Sequence, residues 1–182
     1  MPYILIPIII IVLAVFVISW AISTSNRFKV LLVKINEAGS GIDVALTKRY
    51  DTLTKLIDVV KAYAKHETDL FEKVIRLRSG MSLTEKAEAH QRMKEAADRI
   101  NIVAENYPEL RSSENYKQLQ DAIIDAEDHL QAARRVYNMN VSSFNQAIVL
   151  FPGSIVANAA NHTAKEFFEA EEIKRSDVKI DL

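Results

Sequence analysis

The 182 residues carry 23 basic and 24 acidic side chains, interleaved to a net charge of −1, so no basic stripe tracks phosphates and no nucleic-acid partner is expected. Cysteine is absent, which excludes disulfides and thiolate metal sites. Apolar residues make up 49 % but are unevenly spread, and the length suits one domain plus an extra element.

The unevenness begins at the N-terminus. No charged side chain occurs from Met1 to Asn26, and Tyr3 to Ile22 is almost wholly Ile, Leu, Val, Ala and Phe. At ~1.5 Å per residue this stretch makes a helix of roughly 30 Å, the thickness of a bilayer core. Tyr3 and Trp20 bracket it, where amphipathic rings suit the two interfaces. Pro2 and Pro7 lie at its front end, where a missing N–H matters least. The reading is one transmembrane helix over residues 3–22. A cleavable signal peptide is the alternative, with Ala21 and Ser23 as small residues for cleavage. Against it, the start lacks a basic side chain and the apolar run exceeds the ~7–15 residues of a signal core. Arg27, Lys29 and Lys34 are the first charges after the run, with Glu37 the only acidic residue nearby. The expected location is the cell (inner) membrane, spanned once, and the positive-inside rule puts the N-terminus outside and the body in the cytoplasm.

Beyond residue 27 the breakers are few: Gly39, Gly41, Gly80, Gly153, Pro108 and Pro152. Such scarcity argues for long helices. Phe28, Leu31, Leu32, Ile35, Ile42, Ala45 and Leu46 keep helical spacing. Gly39 and Gly41 interrupt them at ~1 kcal/mol each, so a break or kink is expected between Gly39 and Asp51. A second stripe follows: Leu53, Leu56, Ile57, Val60, Tyr63, Ala64, Leu70, Phe71, Val74 and Leu77. Arg76, Arg78 and Gly80 mark its end. Ser82 to Glu85 forms a capping box for a helix to about Asn106, with Leu83, Ala87, Ala97, Ile100, Val103 and Ala104 inward. Pro108 stops it. A last helix starts at Ser112 or Ser113 and keeps its stripe from Tyr116 to Ile148, ~35 residues or roughly 50 Å. After Pro152 the pattern weakens, although Ile155, Val156, Ala157, Phe167 and Phe168 can still pack. The expected fold is all-α: an N-terminal transmembrane helix followed by an antiparallel up-and-down four-helix bundle over residues 27–170. Residues 171–182 form a charged, frayed tail.

Catalytic and metal motifs fail one by one. A di-iron bundle needs two Glu-x-x-His pairs, but Ala87 and Ala126 stand three residues before His90 and His129. His66-Glu67 begins like a zincin motif, yet Leu70 replaces its second His. Asp125 with His129, and Lys86 with His90, read as i,i+4 surface contacts. There is no Gly-rich phosphate loop, and no hydroxyl is gathered near a His. No enzyme, metal, cofactor or small-molecule substrate is expected. Arg134, Tyr137, Asn138 and Asn145 form the one unusual polar group on the long helix. A buried Asn there would fix helix register, whereas the plainer reading makes these boundary residues.

A series of motifs occurs in fixed order: Arg49-Tyr50-Asp51-x-Leu53, Val60-Lys61-x-Tyr63-Ala64-x-His66-Glu67, Tyr107-Pro108-Glu109-Leu110, Tyr116-x-x-Leu119-Gln120, Ala133-Arg134-x-x-Tyr137-Asn138-x-x-Val141, Phe144-Asn145, Phe151-Pro152 and Phe167-Phe168-Glu169-Ala170. Over roughly residues 28–170 this series resembles the LemA family of bacterial membrane proteins. The resemblance implies an N-terminal transmembrane helix, an antiparallel helical bundle and a cytoplasmic body; it implies no reaction. One branch of the family is associated with bacterial magnetic organelles. The chain departs from the family pattern at Lys48, where a second Arg is usual, and at Thr52 to Leu56, where Leu-Ile-Pro-Asn-Leu is usual. Loss of that Pro removes a marker for a kink near Thr54, so a more continuous helix there is an open alternative.

The function expected is a membrane-anchored scaffold or interaction module that meets a protein partner or a second copy. A sensory relay is the alternative. Arg49, Tyr50, Asp51, His66 and Glu67, which packing alone leaves unexplained, are candidates for helix-junction or partner contacts, together with Arg134, Tyr137, Asn138 and Asn145.

Overall fold

A computed structural model describes residues 2–64 and 80–168, with side chains from Leu5 onward. Five helices are present among them: α1 (Pro2–Tyr63), α2 (Leu83–Asn106), α3 (Pro108–Ser112), α4 (Glu114–Val149) and α5 (Gly153–Ala159), with no strand among the described residues. His66, Glu67, the helix end expected at Arg76 and Arg78, and the tail 171–182 lie outside the described residues.

The all-α class stands, with one correction. No break separates Gly39 from Asp51; α1 runs through both as a single helix. Two glycines cost about 1 kcal/mol each inside a helix. Burying one Ile or Leu contributes about 1.5–3 kcal/mol, and Ile35, Ile42 and Leu46 are all buried around the glycines. Packing therefore wins over propensity. The helix also continues past Thr54, whose Oγ1 donates to Tyr50 O at 2.9 Å. Thr47 and Thr52 donate to the carbonyls four residues back in the same way.

The other helix ends follow local chemistry. Ser82 caps α2: its Oγ accepts from Glu85 N at 3.2 Å while Glu85 Oε2 accepts from Ser82 N at 2.7 Å. Gly80, just before it, has a φ of 82°, a left-handed conformation glycine takes without strain. Pro108 does more than stop α2. It opens α3 from the first turn, where its missing N–H has no partner to lose.

The chain forms two compact units, each drawing on α1 and α4. The first comprises residues 1–38 and 136–167. Its centre is a ring cluster in which Phe28 and Phe144 meet edge to face at 6.4 Å, with His162 at 5.4 and 5.8 Å from them. Ile35, Val141, Ile148 and Ala157 complete the core. Phe28 opposite Phe144, and Asn140 Nδ2 donating to Lys34 O at 3.2 Å, set α1 and α4 antiparallel here. Gly153 is required by close approach, since a Cβ there would lie 2.6 Å from Ala147 O. From Leu5 to Ile18 the large apolar side chains of α1 are at least half exposed, and the best 18-residue window has a mean hydropathy of 3.0. One helix of the described chain is thus long and apolar enough to cross a membrane.

The second unit holds residues 39–135 together with Phe168. Its buried core includes Leu53, Leu56 and Val60 of α1, Met93 and Ile100 of α2, Leu110 of α3 and Leu130 of α4, all at most 1 % exposed. Contacts from Asp43 to Lys86 and from Arg49 to His90 set α1 and α2 parallel. Asn101 meets Tyr116 and Gln120 while His90 faces Glu127, so α4 is antiparallel to α2. The inward face of α2 differs in part from expectation. Ile100, Val103 and Ala104 are buried, but Leu83, Ala87 and Ala97 are half-buried, and Ala89, His90, Met93 and Ala96 are buried instead. A helix wedged between two others needs a wider buried face than one stripe, and small Ala residues let the neighbours approach. Tyr63, expected on the stripe, is 43 % exposed because the buried row at the end of α1 passes through Val60 and Ala64.

Candidate functional site: a buried Arg–His–Glu cluster

Arg49 and His90 are the two buried polar residues of the described chain, 4 % and 8 % exposed. Arg49 follows Ala45 and Leu46 on the inward face of α1, and His90 lies between Ala89 and Met93 on that of α2. Glu127 of α4 completes the group, one residue past the fully buried Ala126. Arg49 Nη1 pairs with Glu127 Oε2 and also lies 2.6 Å from His90 Nδ1. A guanidinium has donors only, so Nδ1 must be the acceptor. His90 is then the neutral tautomer protonated on Nε2, which faces Glu127 Oε1 at 3.9 Å.

The electrostatics follow from burial. Desolvation pushes the Arg49 pKa below its ordinary value, and the Glu127 carboxylate, with a further contribution from Asp98, opposes that shift. Arginine still keeps its charge, which makes Glu127 an obligatory counter-ion. Two outer ion pairs flank the group: Lys48 Nζ to Asp125 Oδ2 at 2.6 Å, and Lys86 to Asp43. The Lys48 hydrogen bond holds the Asp125 carboxyl below the usual aspartate value. Chemically, the cluster is a closed charge clamp joining three helices.

Of the residues expected from sequence, only Arg49 enters this cluster. Tyr50 is half-buried and Asp51 is exposed. Arg134 stacks on the Phe168 ring, 4.8 Å from its centroid, and Tyr137 is buried. Tyr137 Oη donates to Glu166 O at 3.3 Å, and burial, then the nearby Glu166 charge, raise its pKa. Asn145 does not set register between helices. Its Nδ2 donates to Lys165 O at 2.9 Å and its Oδ1 accepts from Lys165 N at 2.8 Å, so it pins the segment after α5 as a neighbouring strand would. Asn138 is half-buried.

His90 and Glu127 escaped the sequence reading. The signal for His90 was its place on the stripe of Met93 and Ile100, which the pairing with Lys86 obscured. Lys86 turns instead to Asp43, whereas Asp125 and His129 do make the expected surface contact at 3.5 Å. Among the described residues no group of three or more His, Asp or Glu is arranged to hold a metal ion.

A bundle clamped by buried charge and led by an apolar, uncovered helix defines a class: a membrane-associated all-α protein. The LemA family model matches residues 38–182, and the chain belongs to that family. It is 31 % identical over 150 residues to Protein LemA of Metamycoplasma hominis, covering 80 % of this chain and 68 % of that protein. It is also similar to Magnetosome protein MamQ of Magnetospirillum gryphiswaldense, 27 % identical over 73 residues. That match covers 40 % of this chain and 27 % of MamQ. Magnetosome protein MamQ 2 of Paramagnetospirillum magneticum is 28 % identical over 74 residues, covering 41 % of this chain and 27 % of that protein.

Proposed function

We propose that this chain is a single-pass, non-catalytic interaction module, a scaffold that presents a helical bundle on the cytoplasmic side of the bacterial inner membrane. The observation that supports it is the continuity of α1. One helix carries an exposed apolar stretch and then, from Phe28 on, the buried stripe of the bundle. The polar cluster at Arg49 is enclosed by packing, so it suits a structural clamp better than a substrate site. Relatives named as magnetosome proteins agree with a role in an assembly. The partner is another protein or a second copy of this chain. Crosslinking in native membranes, read by mass spectrometry, tests this: a reproducible crosslinked partner is expected, and an unvarying monomer overturns the reading.

The same continuity favours a second reading, a relay. With no break between Ile22 and Arg49, a change in the anchor reaches the charge clamp along one helix. Crosslinks that change when membrane composition or potential changes favour the relay, and invariant crosslinks favour the scaffold.

A further inference from the structure

The first unit has a second apolar surface besides the anchor. Where α4 ends, Val149, Leu150 and Phe151 are 71 %, 63 % and 81 % exposed, and Ile155 at the start of α5 is 57 % exposed. Three consecutive large apolar residues in open view, followed by a fourth one helical turn later, are unusual on a surface bathed in water.

The position of this turn identifies its surroundings. Phe28 of α1 packs on Phe144 of α4, and the two helices run antiparallel. Seven residues from Phe144 to Phe151 advance about 10 Å toward the N-terminal end of α1, to the level of residues 20–21. The cleft between the helices confirms that register. It has a volume of about 390 Å³ and is lined by Trp20, Thr24 and Arg27 on one side and Leu150, Phe151 and Gly153 on the other. Trp20 closes the apolar span, so the turn lies where the hydrocarbon of a bilayer gives way to headgroups.

Charge gives an independent second argument. Residues 136–164 contain no Asp, Glu, Lys or Arg, the same absence that marks residues 1–26. Bringing a charge into the membrane boundary is costly, whereas Asn, Ser and apolar side chains enter it at little expense. The charges of α1 nearest the cleft are Arg27 and Lys29, both exposed and positive, as anionic lipid phosphates require.

We propose that the turn from Val149 to Ile155 is a second membrane-contact element, inserting Leu150, Phe151 and Ile155 into the lipid interface beside Trp20. The occupant of this apolar surface is lipid. The first unit is then held to the bilayer at two points, α1 and the turn, which fixes its rotation about the α1 axis as the span alone would not. The inference rests on the anchor reading of residues 3–22.

Because the chain has no Cys, single Phe151→Cys and Ile155→Cys variants take a spin label without further changes. Ile9→Cys serves as the span control and Glu37→Cys, at an exposed position of the same unit, as the water control. Each full-length protein is placed in nanodiscs of phosphatidylethanolamine and phosphatidylglycerol, and collision with oxygen is compared with collision with a water-soluble nickel chelate. Labels at 151 and 155 are expected to favour oxygen, at a depth of about 5–10 Å, between those of the two controls. A water-exposed profile at both 151 and 155, matching that at 37, overturns the proposal while a lipid profile at 9 leaves the anchor standing. Shielding from both agents means that protein covers the turn, and that also overturns it. A water profile at position 9 instead removes the anchor itself.

Discussion

Arg49 shows how a single residue commits three helices. Its guanidinium is buried with Glu127 as counter-ion and the His90 ring as acceptor. Breaking a buried pair costs far more than replacing it, because the surviving charge is stranded. The two partners are not equivalent: the Arg49 side chain is 5 % exposed and that of Glu127 28 %. Glu127→Gln strands the deeper charge and should destabilise the bundle by about 3 kcal/mol, whereas Arg49→Met should cost less, as Glu127 can reach water. Urea unfolding of the detergent-solubilised variants checks the order, and the pair R49M/E127L should recover much of the loss.

Tyr137 offers a residue-level test against pH. The folded state raises its pKa above the ordinary 10.0, chiefly through burial. The folded protein therefore holds the phenolic proton more tightly than the unfolded chain does. Its contribution to stability is complete below about pH 10 and is lost as pH rises through the folded value. Tyr137→Phe should flatten the alkaline limb of the stability curve, and a limb unchanged in slope would remove Tyr137 from that role.

Among the elements, α1 is where local propensity and packing conflict. Gly41 is exposed, and a Cβ added there meets nothing within 4 Å. Gly41→Ala should therefore stabilise α1 by about 0.5–1 kcal/mol, measured by thermal unfolding or by amide exchange around the site. The segment after α5 depends instead on one side chain. Asn145→Leu removes both hydrogen bonds to Lys165 and leaves a leucine where an amide sat. Faster amide exchange at Lys165 is expected, with α4 itself still protected. The periodicity of α4 was plain in the sequence, because thirty-six residues of one amphipathic helix repeat the same signal ten times. Pairing between Asn145 and Lys165 carries no such signal, since it joins a helix to chain without regular structure.

For the whole molecule, the orientation proposed above, with the N-terminus outside, is argued from Arg27, Lys29 and Lys34, set against an N-terminal flank with no basic side chain. Replacing all three by Asn should yield a mixture of orientations or an inverted one, read by membrane-impermeant labelling of a single Cys at Glu37. An unchanged single orientation would mean that the bundle, and not these charges, holds the topology.

The division between sequence and tertiary structure is a division of range. Sequence alone determined the apolar span, the helical class, the capping box at Ser82 and the long helix α4, because each is written in neighbours a few residues apart. Tertiary structure decided that α1 passes unbroken through Gly39 and Gly41, since the burial that offsets the glycines comes from distant helices. It also decided the meaning of Arg49. Forty-one residues separate it from His90, so only the packing of α1, α2 and α4 brings a donor, an acceptor and a counter-ion to one buried point.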